Sequence, residues 1–481
     1  MDQGPRQNDF RDQRLANMAK LRELGYSPFG AAFERTGRLA EIIGSFEEGK
    51  AVRIAGRMVS RREMGKSVFA HLQDGTARFQ VYFKKDVIGE PAFEAFKYLD
   101  LGDHVGIEGE LFVTKTGEKS VKALRWTLLG KALLPMPEKW HGLHDVELRH
   151  RYRYLDLIAN PESRALFDKR IAMVRAIRAF LAERGFVEVE TPMMQPMAGG
   201  AAATPFKTHY NALGVDMFLR IAPELYLKRL LVGGFDKVFE LNRNFRNEGL
   251  DRSHNPEFTM LEIYEAFGDV RSMMRLVQEL ITHVATTVCG TLKIGEGAAA
   301  VDLTAPWRTV TYREIIEEVA GKDWYGLDPA AARARAESLG LAIAPEWTPI
   351  EVTHEVYEKV AEKSLVNPTF VTRFPAELIP LAKPCEDDPS VVDVFELVIL
   401  GKEIAPAYSE LNDPIEQRKR FEAQAGGDPS KVDEDFLLAL EHGMPPAGGM
   451  GVGIDRLVMV LTGVEAIRDV ILFPQLKPKG A

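Results

Sequence analysis

The chain has 481 residues, 46% of them hydrophobic and 27% charged, with a formal net charge of -9. At ~100–200 residues per domain, that length holds two to four domains with ample core and no need of covalent staples. Two cysteines, Cys289 and Cys385, exclude a disulfide framework or cysteine-based zinc cluster and fit a reducing cytoplasm, while the negative total excludes a simple coat for nucleic acid but not local basic patches.

The first residues are polar, without the apolar core of an export signal, and no run approaches the ~18 apolar residues of a membrane helix. A charge-rich helix is expected over 10–24, either solvated or touching nucleic acid, within an N-terminal helical extension, 1–50. The pattern then changes. Residues 52–59, 67–72, 77–83, 104–113 and 120–129 read as short strands, with turns at Asp74-Gly75 and Thr116-Gly117 and a helix over 91–99. Five strands with a helix after the third are the signature of an OB-fold barrel, placed at 51–130. Such barrels bind single-stranded nucleic acid or serve as plain interaction modules. Arg57, Arg61, Arg62, Lys66, Arg78, Lys84 and Lys85 fit either a phosphate groove or solvated strand faces.

A linker is expected over 131–160, where Pro135, Pro137 and Gly142 fall. A helix follows over 161–184, with Pro161 in its first turn and Gly185 just past its end. From 161 to 481 strands and helices mix without regular alternation. That favours an antiparallel sheet flanked by helices over a doubly wound parallel one, so the chain reads as α+β. No Walker loop or dinucleotide fingerprint is present.

Three segments carry chemistry. Gly-Phe-Val-Glu-Val-Glu-Thr-Pro at 185–192 reads as a short strand closed by Pro192. Residues 239–262 read as strand, polar loop and strand, the loop concentrating Arg243, Arg246, Arg252 and His254. Planar guanidinium groups bind carboxylate or phosphate bidentately, and Phe258 is positioned to stack on a base. Gly-Gly-Met-Gly-Val-Gly-Ile-Asp-Arg at 448–456 leads into an apolar helix. Arg456 stands at that helix's start, against the dipole, which points to an anionic partner.

In this order the three segments resemble motifs one, two and three of the class II aminoacyl-tRNA synthetases. A preceding OB barrel resembles the subgroup for lysine, aspartate and asparagine. Arg-Ile-Ala-Pro-Glu-Leu-Tyr-Leu-Lys-Arg at 220–229 and Ser-Glu-Leu-Asn-Asp at 409–413 resemble the lysyl enzymes, and the resemblance runs from 52 to 475. It implies a class II catalytic domain over 161–481, a homodimer built around Pro192, and a cytoplasmic enzyme with no membrane association. The implied reaction is ATP-dependent activation of lysine to lysyl-adenylate, then transfer to the 3′ end of tRNA(Lys). Catalysis works by positioning and charge stabilisation.

The resemblance also implies roles. Arg246 and Arg456 are the expected catalytic residues. Arg246 bridges the lysine carboxylate and the α-phosphate, and Arg456 holds the γ-phosphate or one face of adenine. Phe258 stacks on the other face, His254 and Asn255 line the ATP site, and Glu248 meets the adenine amino group. Glu396 and Glu403 hold Mg2+ through hard oxygen ligands. Seven residues apart, they fall on opposite faces of a continuous strand, so a bulge or bend is expected, with Gly401 to supply it. Glu410 and Tyr264 take the ε-ammonium of lysine and Glu224 its α-amino group, with Glu262 and Gly200 close by. In the barrel, Phe69 and Gln80 match the residues that read the anticodon, a core position for Phe69 being the alternative. Three positions depart from the pattern: Pro406, where a side-chain donor is expected near the amino-acid carboxylate; Ser253, with Arg252 beside it; and Arg125, where a barrel glutamate is expected. The rival readings are an aspartate or asparagine enzyme, a protein-modifying paralogue and a catalytically silent tRNA-binding protein.

Overall fold

Alternating burial along the first part of the chain gives five strands: β1 (Ala51–Met64), β2 (Ser67–Gln73), β3 (Arg78–Lys84), β4 (His104–Val113) and β5 (Lys119–Gly130). They close into a barrel in the order β1-β2-β3-β5-β4, with the expected helix, Glu90–Phe96, after the third strand. Period-two alternation sends Ile54, Val81, Val105, Ile107 and Val121 inward. The N-terminal extension is part of this body: Leu21, Leu39 and Ile42 join the barrel core, and Arg14 donates to the carbonyls of Ala132 and Leu134. The computed structural model describes residues 5–136, 144–201, 203–297, 300–379, 382–428 and 432–478. It divides into two units, Met1–His144 and Asp145–Ala481.

The expected linker therefore divides. Residues 131–136 belong to the barrel unit, 137–143 lie outside the described residues, and 145–160 open the second unit as helices Val146–Arg151 and Arg153–Ala159. The polar residues of these helices serve a buried ion network. Fully buried Asp156 accepts from Arg149, Arg153 and Asn160, and buried His150 pairs with Asp469 at 2.6 Å.

The second unit contains β6 (Val187–Glu188), β7 (Met194–Gln195), β8 (Lys207–Tyr210), β9 (Val215–Leu219), β10 (Lys237–Phe245), β11 (Glu257–Ala266), β12 (Lys293–Ile294), β13 (Val301–Asp302), β14 (Arg308–Thr311), β15 (Thr369–Thr372), β16 (Val394–Ile399), β17 (Lys402–Ser409) and β18 (Ala447–Gly453). Eight form one sheet in the order β14-β15-β16-β17-β18-β11-β10-β6. Its centre is antiparallel as expected, but both edge pairs, β6/β10 and β14/β15, are parallel. Each parallel pair is joined by a long crossover, the connection that parallel strands require. The crossover between β14 and β15 holds helices Tyr312–Ala320, Pro329–Ser338 and Pro349–Val356, with a core of their own around Tyr312, Trp324 and Tyr357.

Strand parity makes the site. Along β11, Leu261 and Ile263 face the main core; along β17, Ala405 and Ala407 do the same. That core is shared with the amphipathic helix Val270–Val284, whose residues 270, 273, 277, 280, 281 and 284 are buried. The intervening Met260, Glu262 and Tyr264, with Pro406, Tyr408 and Glu410, line a cavity on the opposite face.

Candidate active site

The cavity has a volume of about 440 Å³. One wall is acidic. Glu224 starts the helix Glu224–Val232, Glu262 and Tyr264 come from β11, and Glu410 follows β17. Lys228, one helical turn beyond Glu224, donates to Glu224 Oε1 at 2.6 Å and meets Glu410 Oε2 at 2.5 Å. The Tyr264 hydroxyl donates to Glu262 Oε2 at 3.2 Å, leaving its oxygen lone pairs directed elsewhere. Burial pushes the Glu262 carboxyl up to about 8, helped by the Glu224 charge and opposed by the Tyr264 hydrogen bond, Arg220 and Arg246. Burial likewise raises Glu410 to about 7, against the pull of Lys228 and with the push of Glu224. Lys228 itself is held above the ordinary lysine range: burial works against its charge, and Glu224 and Glu410 outweigh burial. The chamber gathers three carboxyl groups around one lysine and buries them, the environment that raises carboxyl pKa values.

A second chamber, about 200 Å³, adjoins the first, with Arg246, Met260, Glu403 and Pro406 lining both. Its other walls include Glu248, His254, Asn255, Phe258 and Arg456. The Arg246 guanidinium lies over the Phe258 ring at 5.2 Å, and its buried Nε has no hydrogen-bond partner among the described residues. Asp251 Oδ2 lies 2.9 Å from His254 Nδ1, and Arg456 Nη2 lies 3.1 Å from His254 Nε2. The arginine can only donate, so Nε2 accepts and Nδ1 carries the proton to Asp251. Arg456 also donates to the Glu403 carbonyl at 2.9 Å. Asp455 is buried; it accepts from Arg170 at 2.5 Å and from the Thr259 amide at 2.8 Å, which fixes the start of the helix Ile454–Thr462.

Glu396 lines the first chamber and Glu403 lines both. They are not on one strand: β16 and β17 form a hairpin whose turn is Leu400-Gly401, both residues left-handed at φ 52° and 61°. That is the geometry of a primed two-residue turn, for which Gly401 is suited. A bulge also sits opposite Leu397/Val398, leaving Ile404 as an extra residue on β17. The bulge resets the side-chain parity, so both carboxylates reach the cavity. Glu396 accepts from the Tyr357 hydroxyl at 2.7 Å. Burial, then the Glu403 charge, raises its carboxyl well above the usual range.

Residues 145–477 match the model of the family described as tRNA synthetases class II (D, K and N), and residues 52–129 match that of the OB-fold nucleic acid binding domain. The chain belongs to the class II tRNA synthetases. It is 51% identical to the lysine–tRNA ligase of Moorella thermoacetica, over 98% of this chain and 99% of that one. It is 50% identical to that of Carboxydothermus hydrogenoformans, with the same coverage, and 47% identical to that of Bacillus subtilis, over 98% of each.

In this synthetase, Gly200, Glu224, Arg246, Glu262, Tyr264, Glu396, Glu403 and Glu410 all line the first chamber. Glu248, His254, Asn255, Phe258 and Arg456 line the second. Some details differ from the sequence reading. Arg243 lies in β10, beside Glu257 at 3.7 Å, not in the loop. Arg252, beside the departing Ser253, pairs with Glu465 on the surface. The Asn255 amide is occupied by the backbone, donating to the Glu257 carbonyl and accepting from the Gln475 amide. Gly449 makes room for side chains of the protein itself: a Cβ there would fall 1.9 Å from Glu410 Oε1 and 2.6 Å from Tyr264.

Sequence reading also missed Lys228, Tyr357 and Tyr408. The first two carried weak signals, a lysine four residues after a glutamate and a tyrosine in an apolar helix. Tyr408 had a stronger one, since 406, 408 and 410 share one strand face.

On the barrel, Phe69 is half-buried on the outer face and absent from the core. It packs on Tyr82 at 4.8 Å, and Tyr82 on Phe112 at 5.8 Å. Gln80 is buried and donates to Ser120 Oγ at 2.8 Å. Arg125 pairs across the ladder with Glu108, well along the strand from Gln80. The carboxylate beside Gln80 is Glu118, which shares a shallow recess with it and with His71.

Proposed function

We propose that this chain is a lysine–tRNA ligase, which activates lysine with ATP and passes the lysyl group to the 3′ end of tRNA(Lys). One observation carries the proposal. Arg246 lines both chambers, with a carboxylate wall on one side, an arginine–histidine wall on the other and a buried donor without a partner. A residue that lines both chambers is placed to meet a carboxylate in one and a phosphate in the other.

In this reading the acidic chamber takes the amino acid. Glu224, with Gly200 beside it, receives the α-amino group. Glu410 and the Tyr264 oxygen receive the ε-ammonium, with Glu262 holding the Tyr264 hydroxyl. Arg246 holds the carboxylate, a task Pro406 cannot share because it has no donor. In the second chamber Phe258 stacks on adenine, Glu248 accepts from its amino group, and Arg456, oriented by His254, meets phosphate or the other ring face. Asn255 shapes that wall through the backbone. A lysine carboxylate oxygen attacks the α-phosphorus and pyrophosphate leaves. The terminal ribose hydroxyl of tRNA then attacks the acyl carbon and AMP leaves. Arg246 and Arg456 are the catalytic residues, stabilising charge that grows on the transferring groups.

The carboxylates at the junction fit Mg2+. Glu396 and Glu403 bring hard oxygens and repel one another. Among the described residues no three metal-binding side chains converge, so an ion there would draw its other ligands from phosphate and water, as magnesium does. When bound, it would offset phosphate charge and orient the triphosphate.

The proposal extends to partners. The outer barrel face, with Phe69, Tyr82 and Gln80, suits stacking on anticodon bases. A homodimer through the face around Pro192 is supported by exposed Val187, Met194, Tyr210, Leu213 and Val215 nearby in sequence, because soluble proteins cover such apolar groups. The reading places the enzyme in the cytoplasm, where free cysteines such as Cys289 and Cys385 persist; among the described residues no helix is long and apolar enough to cross a membrane.

Pyrophosphate–ATP exchange driven by single amino acids tests the function. Exchange with lysine is expected; exchange with aspartate or asparagine, or with no amino acid, would overturn the reading.

A further inference from the structure

Lys228 lies inside an otherwise apolar helix face between Leu227 and Leu231, and is 1% exposed. A buried ammonium persists only where it is paired, and this one contacts two carboxylates from different elements. It takes one oxygen from each. Glu224 keeps Oε2, which lies on the Gly200 side: a Cβ on Gly200 would be 3.7 Å from it. Glu410 keeps Oε1, which lies against Gly449 and the Tyr264 ring. The two oxygens left over point to the two places where ammonium groups are read in the proposed function.

Charge supports the same conclusion. Fully ionised, Glu224, Glu262 and Glu410 carry three negative charges, and Lys228 cancels one of them. The α- and ε-ammonium groups of a bound lysine cancel the other two. Arg246 is neutralised separately by the substrate carboxylate. With position 228 uncharged, the same ligand leaves a buried carboxylate without compensation.

We propose that Lys228 is a positioning and specificity-determining residue, a fixed internal cation that ties Glu224 to Glu410 and sets the distance between the two ammonium sites. The inference rests on the lysine–tRNA ligase reading and deepens it. Lys228 acts through the two glutamates and not on the reacting atoms, so its removal weakens amino-acid recognition more than chemistry. Ornithine, one methylene shorter, is rejected because the tied carboxylates cannot close on it.

The test is exchange kinetics on the full chain for wild type, Lys228→Met and Lys228→Arg, with lysine and ornithine. Lys228→Met is expected to raise the lysine KM about tenfold or more. Its kcat and ATP KM stay within about threefold of wild type, and the preference for lysine over ornithine narrows. Lys228→Arg, which restores a cation able to reach both carboxylates, recovers most of the lysine KM. A lysine KM for Lys228→Met within about twofold of wild type overturns the proposal. So does a folded Lys228→Arg that is as defective as Lys228→Met, or a parallel rise in lysine and ATP KM that marks general damage. Should Lys228→Met fail to fold, Lys228→Gln keeps the donors without the charge, and a near-normal lysine KM there is equally fatal. Wild type without lysine-dependent exchange would sink the ligase reading and this inference together. Normal wild-type exchange with an unaffected variant would sink this inference alone.

Discussion

The acidic chamber and the arginine chamber share Arg246, yet they are built in opposite ways. In the acidic chamber Glu224, Glu262, Glu410, Tyr264 and Lys228 are buried or nearly so and already bonded to each other. In the arginine chamber, His254 and Arg456 are partly exposed, and Arg246 keeps an unmet donor. A small amino acid with two ammonium groups must be told from near relatives by fixed acceptors, because a site built to hydrogen-bond its ligand can reject an analogue that leaves those groups unpaired. A triphosphate brings its own charge and can organise long arginine side chains as it binds. Specificity is thus stored in packing on one side and completed by ligand on the other.

The largest expected effect strikes the shared residue. Arg246→Ala should lower lysine-dependent exchange by about 10²–10³-fold, the cost typical of one lost transition-state donor, with a thermal melt close to wild type. Near-normal exchange would remove Arg246 from the junction. Next, Gly449→Ala forces a methyl group into Glu410 and Tyr264. Overpacking of ~1–3 kcal/mol should appear mainly as a higher lysine KM with ATP KM unchanged. An equal effect on both substrates would mean the chambers are not separable.

The third prediction concerns pH. At neutral pH Glu262, near 8, holds its proton in the empty chamber and Glu410, near 7, is about half protonated, and lysine needs them ionised. The lysine KM should therefore fall by about tenfold per unit for each proton displaced as pH rises from 6 towards 8, while the ATP KM shows no such slope. The sign for stability is the reverse. A carboxyl raised in the folded state favours folding most below its unfolded value and loses that contribution as pH rises through about 8. The unliganded protein should melt lower at pH 8.5 than at pH 6, and Glu262→Gln should flatten that slope. The smallest effect is expected from His254→Ala, which frees Arg456 from one of its partners. A rise of a few-fold in ATP KM, about the worth of one hydrogen bond, would fit an arginine that the ligand can still organise.

Much of this was readable in the residues. The barrel strands were legible because alternation and turn glycines act locally. The acidic wall was legible because the parity of β11 and β17 places alternate residues on one face. What escaped needed three dimensions. Glu396 and Glu403 looked like one strand because a hairpin turn of Leu400 and Gly401 is short and lacks the usual asparagine-glycine signature. Glu118 was not singled out because its place beside Gln80 and His71 appears only once the strands pair across the barrel. Lys228 showed only its i,i+4 spacing from Glu224, because its other partner Glu410 lies 182 positions later in the chain. The parallel edge strands were hidden by crossovers too long to read as simple strand–helix–strand units.

Tyr357 belongs to the helical crossover between β14 and β15, yet its hydroxyl reaches Glu396. The same crossover seats Glu362 under the Glu403 amide, and its Lys363 donates to the Gly401 carbonyl. This inserted layer is therefore no detachable ornament. Transplanting a shorter crossover from a relative would leave the junction carboxylates untethered while the sheet itself stayed whole. Any engineered miniature of this enzyme must carry that strut along.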